Sequence, residues 1–269
     1  MNVISIAPVG GLCNRMRALN ASLALSSELG SRLELVWYLD RSLNCRFEEL
    51  FLIPDGLANI LTIDMNCLFG VLAKKLLIAQ RSWLGRHLYD QDFIAAAMNR
   101  GTDLRRDFAG KNVFVETCSA YYPCANFDRF VPVAALAERI RCYTDIVTDA
   151  VGIHLRRTDN QKSLQYSSVD QFVAKMQELL AAGRCSRFFL ATDSPADESY
   201  LKEIFREKIV THQKSSYDRN NSTAIKEALV DLYCLAQCQL VVGSHWSSFS
   251  ETAAKIGHRE LLIIKGGGQ

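Results

Sequence analysis

Ala150-Val151-Gly152-Ile153-His154-Leu155-Arg156-Arg157-Thr158-Asp159 changes character partway along. Its first four residues are a short apolar run of the kind a buried strand needs. The polar residues that follow therefore sit where a strand ends, which is where open α/β sheets bind ligands. Adjacent guanidiniums offer planar, forked donors matched to phosphate oxygens in a way that lysine cannot reproduce. His154 adds a donor, and Asp159 is placed to hold an arginine. The competing reading is a surface Arg-Asp ion pair of small energetic worth.

Outward from this stretch the chain alternates. Downstream, strands are expected at Val151 to Leu155, Arg187 to Thr192, Ile209 to Thr211, Leu240 to Val242 and Leu261 to Ile264. Helices are expected between them at Ser168 to Ala182, Ala196 to Glu207, Thr223 to Ala236 and Phe249 to Ile256, the first with Ser168 or Asp170 near its cap. Upstream, Asn2 to Ala7 reads as a strand and Gly10-Gly11 as a tight turn. Asn14 to Leu29 is a helix by the spacing of Met16, Leu19, Leu23 and Leu29, ended by Gly30, and Leu33 to Leu39 is a second strand. Signals over 45–110 are weaker: a turn at Phe47 to Phe51, a strand at Ile60 to Ile63, and helices at Cys67 to Gln80 and Asp92 to Asn99. A strand at Val113 to Thr117 and a helix at Pro132 to Cys142 follow. Repeated β-α units predict an α/β protein of two Rossmann-like domains with mainly parallel sheets. The boundary is placed near Thr148, giving domains 1–148 and 149–269, with no Gly/Pro linker to mark it.

A chain of 269 residues with 49% hydrophobic and 22% charged residues supports a sizeable core and excludes global disorder. The 31 basic residues against 29 acidic ones lack the excess of a nucleic-acid binder. The nine cysteines form no CxxC; Cys234 and Cys238 lie four apart in a helical stretch, and Cys118 and Cys124 flank Tyr121-Tyr122-Pro123. They read as reduced small hydrophobes of a cytosolic protein rather than a zinc site or disulfide framework. Met1 to Val9 reads as a first strand, not a targeting segment. Leu57 to Ala79, the most apolar long region, is interrupted by Asp64, Asn66, Lys74 and Lys75, which argues against a transmembrane span.

In this setting the His-x-Arg-Arg-x-Asp stretch resembles the first motif of the α1,6- and protein O-fucosyltransferase superfamily, which includes bacterial enzymes that decorate chitin oligosaccharides. Phe189-Leu190-Ala191-Thr192-Asp193-Ser194 resembles a second motif. A third runs from Ala228-Leu229-Val230-Asp231-Leu232 to Val241-Val242-Gly243-Ser244-His245-Trp246-Ser247-Ser248-Phe249-Ser250. Gly10-Gly11-Leu12-Cys13-Asn14-Arg15 is similar to the family's first glycine loop. The resemblance spans nearly the whole chain. It implies a GT-B fold and an inverting glycosyltransferase that moves L-fucose from GDP-fucose to a glycan without cofactor or metal. The second domain would bind the nucleotide sugar, and the first the acceptor, with Asn14 facing the cleft. Secretory members carry a signal or anchor; the expectation here is a bacterial cytoplasmic enzyme. Its acceptor would be a cell-surface polysaccharide or a lipid-linked sugar, the latter bringing the protein near a membrane.

The resemblance assigns Arg156 to the β-phosphate of the leaving pyrophosphate, with His154 beside it and Arg157 and Asp159 buttressing the loop. Gly11 and its neighbours lack the G-x-G-x-x-G pattern; they are either amides that meet an anion at a helix N-terminus or a plain turn needing glycine. Thr192 and Asp193 fall at the same sheet edge as the arginines and are implied to lie near the nucleotide; otherwise Asp193 is a cap or turn residue before Pro195. A metal at Asp193 is not expected, with only Asp197 near it in sequence. Asp231 is implied to pair with guanine, whose N1–H and amino group offer two donors that adenine lacks; its alternative is a solvent-facing helix carboxylate. Ser244, Ser247 and Ser248 suit a phosphate at a helix N-terminus or simple capping. His245-Trp246 are extra relative to the family motif, which leaves open which serine meets the phosphate. Arg219 either closes over the sugar or is solvated surface. The general base is open among Asp40, Asp159 and Glu116. Two other functions stay in view: transfer from another nucleotide sugar on the same fold, and non-catalytic sugar-nucleotide binding.

Overall fold

The structure, a computed structural model, describes residues 1–124, 126–157, 165–218 and 220–266. It divides into two units, Met1–Val133 with Asp218–Ile225, and Ala134–Tyr217 with Lys226–Gln269.

The first unit contains β1 (Val3–Pro8), α1 (Leu12–Glu28), β2 (Arg32–Leu39), a 3-10 turn at Phe47–Glu49, β3 (Leu57–Asp64) and α2 (Leu68–Trp83). It continues through β4 (His87–Tyr89), α3 (Gln91–Asn99), α4 (Leu104–Phe108) and β5 (Val113–Thr117). The strands lie in the order β3-β2-β1-β5-β4, every pair parallel. The apolar run of β1 is explained by its central place: such a strand is covered on both faces. Gly30 ends α1 with φ of +57°, the left-handed geometry that lets Ser31 N–H reach back 2.9 Å to the Ser26 carbonyl. Trp37, Phe47, Phe51 and Phe130 fill the space beyond β2, in edge-on contacts at 5.5 Å (Trp37–Phe47) and 5.4 Å (Phe51–Phe130).

The second unit contains α5 (Ala134–Arg141), α6 (Thr144–Val147), β6 (Val151–Leu155), α7 (Val169–Ala181), β7 (Phe188–Thr192), α8 (Pro195–Phe205) and β8 (Ile209–Val210). Then come α9 (Ser222–Gln237), whose first residues belong to the other unit, β9 (Leu240–Ser244), α10 (Ser248–Gly257) and β10 (Glu260–Ile264). The sheet order is β10-β9-β6-β7-β8, again parallel throughout. Every residue of β6, β7 and β9 is buried. Beneath them lies a core that includes Ile153, Leu155, Phe172, Met176, Phe188, Leu190, Leu201 and Val242. Gly243 lets α10 close on β9: a Cβ there would clash with the Ser250 side chain. Of the two residues expected near the cap of α7, Ser168 holds it, in a capping box with Gln171.

The chain passes between units at Val133/Ala134 rather than near Thr148. The reason is packing. Arg139 of α5 hydrogen-bonds His212 at 2.9 Å, and Tyr143 meets His212 and Phe189 edge-on at 5.6 and 6.4 Å, so α5 and α6 belong with the second sheet.

In the second sheet β6 is flanked by β7 and β9, and the order of connections reverses across the β6/β9 pair. The crevice beyond the C-terminal ends of these strands is the place where such sheets bind ligands. Strand register brings His154 beside Ala191 and Gly243, and Leu155 beside Thr192.

Candidate active site

The ends of β6, β7 and β9 bring the candidate residues together. His154 is the last but one residue of β6, buried to 5% exposure and stacked on Phe249 with ring centroids 4.7 Å apart. Its Nδ1 lies 3.4 Å from the Ser247 hydroxyl. Burial, then the neighbouring Arg156 guanidinium, pushes its pKa down to about 3, against an opposing pull from Asp193. The imidazole is therefore neutral at physiological pH, with one N–H to donate and one nitrogen to accept, and it brings no positive charge.

Arg156 and Arg157 are fixed by Asp193. The Arg157 backbone N–H donates to Asp193 Oδ1 at 2.7 Å, and Arg156 Nε lies 3.4 Å from Asp193 Oδ2. Arg156 is also held through its backbone, whose N–H donates to the Ser244 hydroxyl at 3.0 Å. The Arg157 side chain turns aside to Asp197 at 3.2 Å and the Ser167 carbonyl at 3.4 Å. Asp193 is not the helix cap: Ser194 caps α8 by accepting from the Asp197 N–H.

The loop from β9 into α10 supplies the serines. Ser244 is fully buried, and its hydroxyl ties β9 to β6 by accepting from Arg156 N–H and reaching the His154 carbonyl at 3.4 Å. Ser247 occupies the N-cap position of α10 but makes no side-chain capping bond; its hydroxyl turns to His154 instead. Ser248, at the first helical position, is partly exposed. The extra pair His245-Trp246 bulges outward: Trp246 is 61% exposed and adopts φ of +58°, while His245 N–H donates to Ser167 Oγ at 2.8 Å.

Asp231 on α9 is buried to 3% exposure, which overturns its alternative as a solvent-facing carboxylate. Its Oδ2 lies 2.9 Å from Lys214 Nζ and its Oδ1 3.5 Å from His212 Nδ1. Burial draws the Lys214 ammonium's pKa down, but the Asp231 carboxylate outweighs it and the net shift is upward. Asp231 Oδ1 is a buried acceptor without a hydrogen bond among the described residues. One turn earlier, buried Glu227 accepts from Ser215 N–H at 3.1 Å and Ser215 Oγ at 2.9 Å, fastening the loop that carries Lys214. Lys214, His212 and Glu227 were not singled out from sequence. A lone lysine in a polar loop carries no pattern; the one available signal was two acids four apart on an otherwise apolar helix.

In the first unit, Gly10 takes φ of +82° and Gly11 is the N-cap of α1. Space is open around Gly11, where an added Cβ would meet nothing within 4 Å, and Asn14 is half-buried one turn on. The glycine loop is braced by Arg15, a wholly buried arginine. Its Nε donates to the Gly10 carbonyl at 2.7 Å, it pairs with Asp40 at 2.8 Å, and its guanidinium carbon lies 4.9 Å from the Trp37 ring centre. Of the candidate bases, Asp40 is engaged by Arg15, and Glu116 by Lys74 at 2.8 Å. Thr158, Asp159 and Arg219 lie outside the described residues. Among the described residues no three His, Cys, Asp or Glu side chains gather in a metal-holding group.

No protein-family model matches the sequence, and no curated protein sequence does either. Solved structures do. NodZ, an α1,6-fucosyltransferase soaked with GDP-fucose, superposes with a TM-score of 0.67 at 17% identity over 95% of this chain and 92% of its own. The apo form of POFUT1 gives 0.59 at 14% identity over 98% and 97%, and Arabidopsis thaliana FUT1 in complex with GDP gives 0.61 at 14% over 97% and 70%. What is shared at such identities is the fold: these two parallel α/β units are built as fucosyltransferases are built.

Proposed function

We propose that the protein is a glycosyltransferase that moves L-fucose from GDP-fucose to a glycan acceptor, with inversion at the anomeric carbon and without a metal. The observation that carries this reading is Arg156, held at the switch point of a parallel sheet by Asp193 and Ser244. When the bond between sugar C1 and diphosphate breaks, negative charge collects on the departing oxygens, and donors already in position stabilise it most. Arg156 supplies a guanidinium there, and the first turn of α10, left uncapped by Ser247, supplies amides beside the Ser248 hydroxyl. Gly11 and Asn14 are assigned to the nucleotide sugar, and the rest of the first unit to the acceptor. The acceptor hydroxyl attacks C1 from the face opposite the diphosphate; the bond from C1 to the diphosphate oxygen breaks as the new one forms, and the hydroxyl proton passes to solvent.

Asp231 is assigned to guanine. The orphan Oδ1 is the acceptor that guanine's N1–H and amino group would satisfy, and meeting them requires Lys214 or His212 to give way. That NodZ and FUT1 structures of this fold hold GDP-fucose and GDP supports the same donor class here. The acceptor is proposed to be a cell-surface polysaccharide or a lipid-linked sugar, and the enzyme to work in a bacterial cytoplasm. Among the described residues no helix is long and apolar enough to cross a membrane. A thermal-shift comparison of GDP, UDP, ADP and CMP, followed by GDP release from GDP-fucose with glycan acceptors, tests the proposal. Stabilisation by GDP alone is expected; stabilisation by none of the four refutes it.

A further inference from the structure

The apolar region that interrupts the sequence of the first unit folds as α2, and its outer face is uncovered. Leu68 is 84% exposed, Phe69 83%, Leu72 56%, Leu76 71% and Trp83 85%. At 100° per residue these five fall within one arc of the helix, with Lys75 on its rim. The opposite face is the one that meets the unit: Gly70 and Leu77 are buried, and Gly70 has no room for a Cβ against the Asp64 carbonyl. An exposed apolar stripe of this extent on a folded unit marks an interaction surface.

Charge decides what it meets. Residues 65–89 contain Lys74, Lys75, Arg81 and Arg86 and no acidic residue. Glu116 answers Lys74, and Glu34 is shared by the largely buried Arg81 and Arg86, which leaves exposed Lys75, on the rim of the stripe, without an ion pair among the described residues. A second copy fits poorly. The stripe from Leu68 to Trp83 is centred at Lys75 and Leu76, so antiparallel self-pairing about a two-fold axis would set Lys75 against its own image with no acid to answer it. An anionic lipid surface answers both features, since it takes up apolar side chains and attracts each cation near it. At 16 residues α2 is about 24 Å long, short of a bilayer core of roughly 30 Å, so it can lie in the interface but not cross. Trp83, at the helix end, is the residue type that settles at the headgroup level.

We propose that α2 docks the protein on an anionic bilayer, lying flat with Phe69, Leu72 and Leu76 in the acyl boundary and Lys75 among the headgroups. The inference stands without the nucleotide-sugar reading. The test is sedimentation of the full chain with vesicles of equal parts phosphatidylglycerol and phosphatidylcholine, against vesicles of phosphatidylcholine alone. Binding is expected to the anionic vesicles, weakened by salt and by Lys75→Glu, and reduced about tenfold or more in Phe69→Ser with Leu76→Ser. Both side chains are exposed, so the melting temperature of that variant should match the parent, which separates lost docking from lost folding. A second readout uses the unaltered chain: brominated phosphatidylglycerol should quench fluorescence that disappears in Trp83→Phe. Failure to sediment with anionic vesicles overturns the proposal. So does equal binding by the double variant, or a solution dimer that the double variant dissolves.

Discussion

Asp231→Asn should separate two jobs of one carboxylate. In the parent the Asp231–Lys214 pair is 2.9 Å apart with both side chains about 5% exposed. At an effective dielectric of about 20 the attraction at that distance is about 6 kcal/mol before desolvation is subtracted. Removing one partner strands the other charge in the interior, and such changes cost about 3–5 kcal/mol. Taking the lower figure, the second unit should melt about 10 °C lower. Adding Lys214→Met removes the stranded ammonium and should recover at least half of that loss, because a buried pair exchanged for apolar groups is close to neutral. Guanine recognition should not recover. A charge-assisted hydrogen bond lost to the base is worth about 1.5–3 kcal/mol, so GDP affinity should fall roughly ten- to a hundredfold in both the single and the double variant. Thermal melts give the first quantity and calorimetry with GDP, run well below the melting range, the second. A single variant that melts with the parent refutes the stabilising role of the buried pair. A double variant that binds GDP normally refutes the base contact and leaves Asp231 a purely structural residue.

Arg156→Ala should lower turnover of GDP-fucose by about 10²–10³ in a protein that still folds, read by GDP release alongside circular dichroism; near-parent turnover removes Arg156 from the diphosphate. Chelation with EDTA should leave the rate unchanged, and a rate that collapses and returns with magnesium or manganese would end the metal-free proposal. His154 has its folded-state pKa at about 3 against 6.5 in the unfolded chain, so the unfolded state takes up the proton first on acidification. Its contribution is whole above pH 6.5 and drains as pH falls toward 3, so the parent should lose about 2 kcal/mol more than His154→Asn between pH 7 and pH 5 in denaturant melts. Parallel curves for the two proteins would show that His154 is not held neutral. Gly243→Ala should destabilise by about 1–3 kcal/mol, since the new methyl meets Ser250 where α10 closes on β9.

Much of the second sheet was legible because its strands are buried on both faces. Val151–Leu155 reads as a strand without any tertiary information, and the helices between strands carry apolar periodicity that only a sheet-covering helix needs. β4 was not legible: three residues at a sheet edge are too few for a period of two to show. Nor was the five-residue α4. The unit boundary was misplaced for a different reason. The amphipathic face of α5 announces that it will be covered but not by which sheet, and the covering residues, Phe189 and His212, lie far along the chain. The pairing of Asp231 with Lys214 is invisible in the same way, because the two residues are 17 apart and the loop between them has no repeating pattern.

The candidate site carries a local conflict that the structure resolves in one direction. Asp193 and Ser194 are both good caps for α8, and Ser247 is a good cap for α10. A chain concerned only with its helices would turn each of these side chains to the nearest free amide. Ser194 does so, and Asp193 is thereby left to hold Arg156 and the Arg157 N–H. Ser247 gives up its cap altogether and faces His154, a choice that costs a helix terminus about 1 kcal/mol. Next to it Trp246 sits in the left-handed region, which costs a residue with a side chain about 1 kcal/mol or more. Two departures from local preference within two residues, both beside the strand that carries the paired arginines, are what a binding site does to the loops that form it. Structural need alone would have favoured a capping Ser247 and a glycine at position 246.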